Sequence, residues 1–89
     1  MHEHALIADL VREILRAAER EQAKAVTGIS VWLGALSHMS PDHFAEHFED
    51  AAVGTIAEGA EITAEVSDDI DDPRASSVLL TGIEVEAPS

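Results

Sequence analysis

The chain has 89 residues and no cysteine, and its 18 acidic residues against 5 basic ones give a formal net charge of −13. This length suits one small domain. The charge argues against nucleic acid and anionic membranes as partners, because binding to either depends on cationic side chains. Without cysteine there is no disulfide, thiol catalysis or thiolate metal site, so histidine, carboxylate and backbone donors would have to hold any metal.

The first three elements are predicted from periodicity and capping signals. Helical spacing of Leu6, Leu10 and Ile14 predicts an amphipathic helix over residues 4–22. The apolar stripe of this helix is widened by Ile7, Val11 and Ala18. Apolar residues then alternate with small or polar ones, which predicts a strand within residues 24–36. The stretch "SPDHF" predicts the start of a second helix, with Ser40 as N-cap and Pro41 at the first helical position, running to about residue 53.

Two strands complete the pattern. Residues 60–66 alternate, and "VLLTGIEVE" predicts a last strand with a bulge near Gly82. The acidic segment between them, residues 67–77, is predicted to be a solvated hairpin loop. The order α-β-α-β-β indicates an α+β two-layer sandwich, a three-stranded sheet with two helices on one face, in a single domain spanning residues 1–89.

The sheet face opposite the helices is predicted to be acidic, with Trp32 as its large aromatic side chain. Trp32 is a candidate anchor for a partner protein, and covering the bare strands is an equally plausible role. The chain has two Phe, one Trp and no Tyr. The core is therefore expected to be thin and aliphatic, and a homodimer is one way in which it would gain stability.

The opening residues "MHEH" form a possible ligand set. The Met1 α-amine, the amide and imidazole nitrogens of His2 and the amide nitrogen of Glu3 can surround one metal in a plane. A plane of nitrogens favours Ni(II) or Cu(II) over Zn(II), and His4 is a possible additional ligand. Taken alone, the segment is more typical of a frayed and solvated terminus.

Other constellations are weaker. His43 and His47 stand four apart on one helical face, as a metal chelate requires, although histidines at the edge of the core are the commoner reason for such a pair. The aspartates of "DDIDD" lack the spacing of a calcium loop. No nucleophile elbow or phosphate-binding loop is present, so the protein is not predicted to be an enzyme.

These signals in combination resemble one family. The "MHE" start, the amphipathic helix and the long stretch "VWLGALSHMSPDHFAEHFEDAAVGTIAEGAEI" resemble the HypA/HybF nickel metallochaperones, and "TGIEVE" resembles the family's closing strand. The resemblance implies a cytoplasmic protein that carries Ni(II) in hydrogenase maturation. It also implies a nickel site at Met1, His2 and Glu3, and as partners the GTPase HypB and a hydrogenase large subunit. No membrane or nucleic acid is implied.

The chain also departs from the family pattern. The family normally carries a zinc domain with two CxxC pairs between its last two strands, and here the acidic segment at about 67–77 stands in its place, so no zinc is expected. Ala35 occupies a position where the family stretch usually has Glu. The following loop, where some members place an additional acidic ligand, reads His38-Met39-Ser40, and neither His38 nor Asp42 is predicted to replace that ligand. The leading hypothesis is a nickel-binding accessory protein for metallocentre assembly. The alternative is a metal-independent interaction module that uses the acidic sheet face.

Overall fold

A computed structural model describes the backbone of residues 2–88 and the side chains of residues 5–88. All five predicted elements are present. They are α1 (His2–Arg20), β1 (Ala25–Leu33), α2 (Pro41–Ala52), β2 (Glu61–Val66) and β3 (Val78–Glu86). No helix in this described part combines the length and the apolar character that a membrane crossing needs. The predicted α+β class is confirmed.

The sheet has the strand order β2-β1-β3, so β1 is central. It pairs in parallel with β2, where Ile29 lies beside Ile62, and antiparallel with β3, where Ile29 lies beside Ile83. The hairpin predicted between the last two strands is therefore wrong. Residues 67–77 instead connect the two edge strands past the end of β1, because β1 occupies the position between them.

The bulge predicted near Gly82 is confirmed. Ser30 pairs with Gly82, whereas the next residue of β1, Val31, pairs with Leu80, which leaves Thr81 as the extra residue on β3. After the bulge, Leu79 lies opposite Trp32 and Val78 opposite Leu33.

Both helices pack on one face of the sheet, and their buried side chains form a single cluster with β1. The rings of Phe44 and Phe48 stack with centroids 6.0 Å apart and supply its aromatic part. The predicted stripe of α1 is confirmed except at Leu6, which is 38% exposed. The buried residues of α1 are Ile7, Leu10, Val11, Ile14 and Ala18.

The two helices run in the same direction. α1 leads through a short turn into β1 and packs back along it, while α2 is the crossover between the parallel strands β1 and β2. Each helix is thus antiparallel to β1. α1 spans about 28 Å at ~1.5 Å per residue, close to the ~30 Å of a nine-residue strand. Both helices therefore begin at the level where β1 ends.

Candidate metal centre

One end of the molecule collects the segments that carry the candidate ligands. The carboxyl end of β1 leads into residues 34–40, and the first turns of α1 and α2 lie at the same level. The connection 67–77 crosses this end as well, because it leaves the carboxyl end of β2 and enters the start of β3. We refer to this part of the molecule as the loop end.

The predicted nickel ligands belong to the start of α1, and the described first turn of that helix lies at the loop end. Met1 lies outside the described residues, and so do the side chains of His2, Glu3 and His4. The helix itself begins at His2. The first amides of a helix have no intrahelical acceptor, so the amide nitrogens of His2 and Glu3 are not needed for hydrogen bonds within α1.

Residues 37–40 end in the cap of α2. The Ser40 hydroxyl accepts a hydrogen bond from the His43 N–H at 3.1 Å, and Pro41 occupies the first turn, so the predicted helix start is confirmed. His38 adopts φ 59°, the left-handed conformation that histidine tolerates better than most residues. His38 and Asp42 are both exposed.

His43 and His47 meet on the outer side of α2. Their Nε2 atoms lie 2.9 Å apart, and the ring centroids 4.6 Å apart. His47 is half-buried, as predicted for the edge of the core, whereas His43 is exposed. Among the described residues there is no group of three or more His, Cys, Asp or Glu side chains placed to hold a metal ion.

The connection 67–77 is held tightly against the end of β1. The Ser67 N–H donates to the Leu33 carbonyl at 2.9 Å, the Gly34 N–H to the Ser77 carbonyl at 2.9 Å, and the Leu36 N–H to the Ala75 carbonyl at 2.7 Å. Ala75 is buried. The segment is therefore an ordered part of the fold rather than a loosely solvated loop.

The second half of this connection is held by hydrogen bonds between Asp72 and Arg74. The Asp72 carboxylate accepts hydrogen bonds from the backbone N–H of Arg74 at 2.7 Å and from its guanidinium at 3.3 Å. These two bonds lower the pKa of Asp72 below its ordinary value, the backbone bond contributing most. The carboxylate consequently stays ionised and keeps the Arg74 side chain in place.

Arg74 in turn covers Trp32, the predicted partner anchor. Its guanidinium carbon lies 5.1 Å from the ring centroid, within the range of a cation–π contact. Trp32 is half-buried, and its neighbour on β2 is the exposed Glu65. The sequence offered one signal for this contact, a lone arginine in an acidic segment, but nothing that linked it to a residue on β1.

Comparison with known proteins identifies the family. Residues 1–69 match the family model HypA, described as "Hydrogenase/urease nickel incorporation, metallochaperone". The chain belongs to the HypA family. The matched part contains both helices, β1, β2 and the first residues of the connection to β3. The sequence has no cysteine and therefore no CxxC pair.

Individual HypA proteins give the same result. The hydrogenase maturation factor HypA of Archaeoglobus fulgidus is 43% identical over 66 residues, which cover 74% of this chain and 60% of that protein. The factor of the same name from Thermococcus gammatolerans is 46% identical over 65 residues, 73% of this chain and 47% of the relative. The chain thus spans between about half and three-fifths of the length of these relatives.

Two solved HypA structures share the fold. The solution structure of the Ni metallochaperone HypA from Helicobacter pylori superimposes with a TM-score of 0.80, covering 97% of this chain and 98% of that one at 15% identity. A second solution structure of a HypA protein gives a TM-score of 0.74 at 18% identity, covering 99% and 98%. At these identities the likeness concerns the fold alone, and it extends to β3, beyond the matched residues 1–69.

Proposed function

We propose that this HypA-family chain is a nickel-binding accessory protein for metallocentre assembly, which holds Ni(II) as cargo at its amino terminus. The ligands are the Met1 α-amine, the backbone amides and imidazole of His2 and Glu3 as a backbone donor, with His4 as an additional ligand. The observation that carries the proposal is the start of α1 at His2 in a chain of this family.

Because α1 begins at His2, metal binding by the first backbone amides breaks no hydrogen bond within the helix. A nickel ion bound in a plane of nitrogens displaces the protons of the two coordinating amides. In the middle of a helix this would break two hydrogen bonds, whereas the first-turn amides of His2 and Glu3 make none within α1. Loss of the two protons also offsets the ion's charge, which the positive end of the helix dipole would otherwise oppose.

The charge of the loop end supports the same role. The connection 67–77 carries four aspartates against one arginine, and the whole chain has a net charge of −13. An excess of negative charge raises the local concentration of cations and speeds their encounter with the protein. Because nickel is carried rather than used in a reaction, we assign the chain no catalytic step. Its receivers would be a HypB-type GTPase and a hydrogenase large subunit.

The imidazole of His2 is tested by titrating Ni(II) into protein that begins with an authentic Met1. We expect His2→Ala to weaken Ni(II) binding at least ~tenfold, since even the loss of a partner outside the ligand set costs ~10–100-fold. His38→Ala, an exposed histidine of the same end, is the matched control and should bind as the wild type does. Isothermal titration gives the affinities, and a yellow, diamagnetic complex supports planar coordination.

Equal affinities of the wild type and His2→Ala for Ni(II) would contradict the amino-terminal site. An octahedral spectrum of the wild type with one equivalent of Ni(II) would also count against it, since that geometry points to water and side-chain donors. A His4→Ala variant separates the two neighbouring imidazoles. If His4 is only an additional ligand, its loss should change the affinity less than the loss of His2.

A second candidate function uses the sheet face opposite the helices. This face carries the exposed Glu65 beside the half-buried Trp32, and the exposed Glu61 and Glu84 lie further along it, on either side of Gly28. A half-buried aromatic within a polar surround is typical of a protein-interaction surface. In this version the chain holds a hydrogenase-maturation partner without carrying metal.

The two functions are separated by binding to a purified HypB-type GTPase in the presence of a metal chelator. The interaction module predicts that Trp32→Ala lowers this binding by at least about tenfold, as expected for an aromatic anchor, while His2→Ala leaves it unchanged. Circular dichroism checks that Trp32→Ala is folded. Equal binding by the wild type and a folded Trp32→Ala would rule out Trp32 as the anchor.

A further inference from the structure

We infer that His43 and His47 form a second metal site, a two-imidazole chelate for Ni(II) or Cu(II) on the outer side of α2. This site shares no residue with the amino-terminal set and does not depend on the proposed function. Its basis is the geometry of the two rings, which the i, i+4 spacing on a helix brings side by side.

The rings converge at the atoms that bind metals. The Nε2 atoms are 2.9 Å apart while the centroids are 4.6 Å apart at an interplanar angle of 39°, so the rings are closest at their tips. At 2.9 Å the pair shares a hydrogen bond, in which one Nε2 donates and the other accepts. An ion bound by both nitrogens would replace that proton.

The separation of the two Nε2 atoms favours a right angle between the two metal–nitrogen bonds. With metal–nitrogen bonds of ~2.0–2.1 Å, two ligands at a right angle are ~2.9 Å apart, and two ligands at a tetrahedral angle ~3.4 Å apart. The observed 2.9 Å matches the right angle. Right angles occur in the square-planar, tetragonal and octahedral shells of Cu(II) and Ni(II), whereas Zn(II) prefers the tetrahedron.

The surroundings of the pair suit a cation. Asp42, Glu46 and Asp50 are exposed acidic residues of the same helix, and Asp42, in the first turn, offsets the positive end of the α2 dipole near His43. The described residues place no third His or carboxylate in the group. Two imidazoles form a weaker site than four nitrogens in fused rings, so the second ion is bound less tightly.

The test removes the amino-terminal donors first. Protein that carries both an acetyl group on Met1 and the change His2→Ala lacks the amine and the imidazole of the first set. We expect it to bind one equivalent of Cu(II) or Ni(II), with Cu(II) the tighter of the two. Adding His43→Ala or His47→Ala should weaken this binding at least ~tenfold, a loss of ~1.4 kcal/mol, whereas adding His38→Ala should not.

Nuclear magnetic resonance supplies a second readout. Paramagnetic Cu(II) should broaden the ring protons of His43 and His47 at lower metal concentration than those of His38. His43→Ala and His47→Ala lie at solvent-accessible positions of α2, where alanine favours helix, so both variants should remain folded. His38→Ala places alanine at a positive φ, so circular dichroism checks that this control is folded. Absence of binding by the doubly modified protein, or binding that His43→Ala leaves unchanged, would overturn the inference. Neither result bears on the amino-terminal site, which the unmodified protein and its His2→Ala variant test separately.

Discussion

Acetylation of the Met1 α-amine is expected to lower the affinity for Ni(II) by at least about a hundredfold. The fused chelate rings of the proposed site grow outward from the amine, so without it neither backbone amide gives up its proton to the metal near neutral pH. Removal of an outer-shell partner alone costs ~10–100-fold, and here a direct ligand and the anchor of two others are lost together. Isothermal titration of acetylated and unmodified protein measures the difference.

The fold should survive this modification. Acetylation removes a positive charge from the amino-terminal end of α1, where the helix dipole disfavours it. The acetylated protein is therefore expected to be at least as stable as the unmodified one, which thermal unfolding will show. Unchanged nickel affinity after complete acetylation, verified by mass spectrometry, would mean that the amine is not a ligand.

Replacement of Gly34 by alanine is expected to destabilise the protein by about 2–3 kcal/mol, the upper range for overpacking a tight contact. An added Cβ would lie 2.6 Å from the carbonyl carbon of Ala75 and 2.8 Å from the carbonyl oxygen of Arg74, and nearer still to the Ala75 oxygen. All three are backbone atoms of the connection 67–77, which cannot rotate away as a side chain can. Urea denaturation measures the loss.

Gly82→Ala is the matched control, because its Cβ would meet only the Ser30 side chain, at 4.0 Å. We expect this substitution to leave the free energy of unfolding unchanged or to raise it by up to ~1 kcal/mol, because alanine lowers the conformational entropy of the unfolded chain. Displacement of the connection in Gly34→Ala should also draw Arg74 away from Trp32, the one tryptophan of the chain, and change its fluorescence. Equal stability of the two alanine variants would show that the connection 67–77 can move away from the added Cβ without loss of stability.

The elements and their local signals could be predicted from the sequence. Ser40 and Pro41 mark the start of α2 because capping depends on residues that are adjacent in the chain. The bulge at Gly82 was predictable for the same reason, since the alternation of β3 changes phase there. The exposure of Leu6 was not predictable, because Leu6 and Ile7 fit the helical period equally well and only the position of the sheet separates them.

Long-range relationships were harder to predict. Nothing in the alternation of β2 and β3 indicates that β1 lies between them, so a hairpin was the simplest expectation. The contact between Arg74 and Trp32 depends on that strand order and was missed with it. The proximity of His43 and His47 was predictable from their spacing, whereas the 2.9 Å between their nitrogens needed coordinates. The amino-terminal ligand set stays a prediction, because Met1 and the side chains of residues 2–4 lie outside the described part.

The path of residues 67–77 makes the connection between β2 and β3 a position where additional residues can be inserted. The chain is fastened where it leaves β2, at Ser67, and again at Ala75 and Ser77 before it enters β3. Residues 68–71 between these fastenings are exposed, and none of them pairs in the sheet. A longer module spliced there would leave the two-layer body intact. The sequence of the two-layer domain and the sequence inserted between β2 and β3 can therefore vary independently of each other.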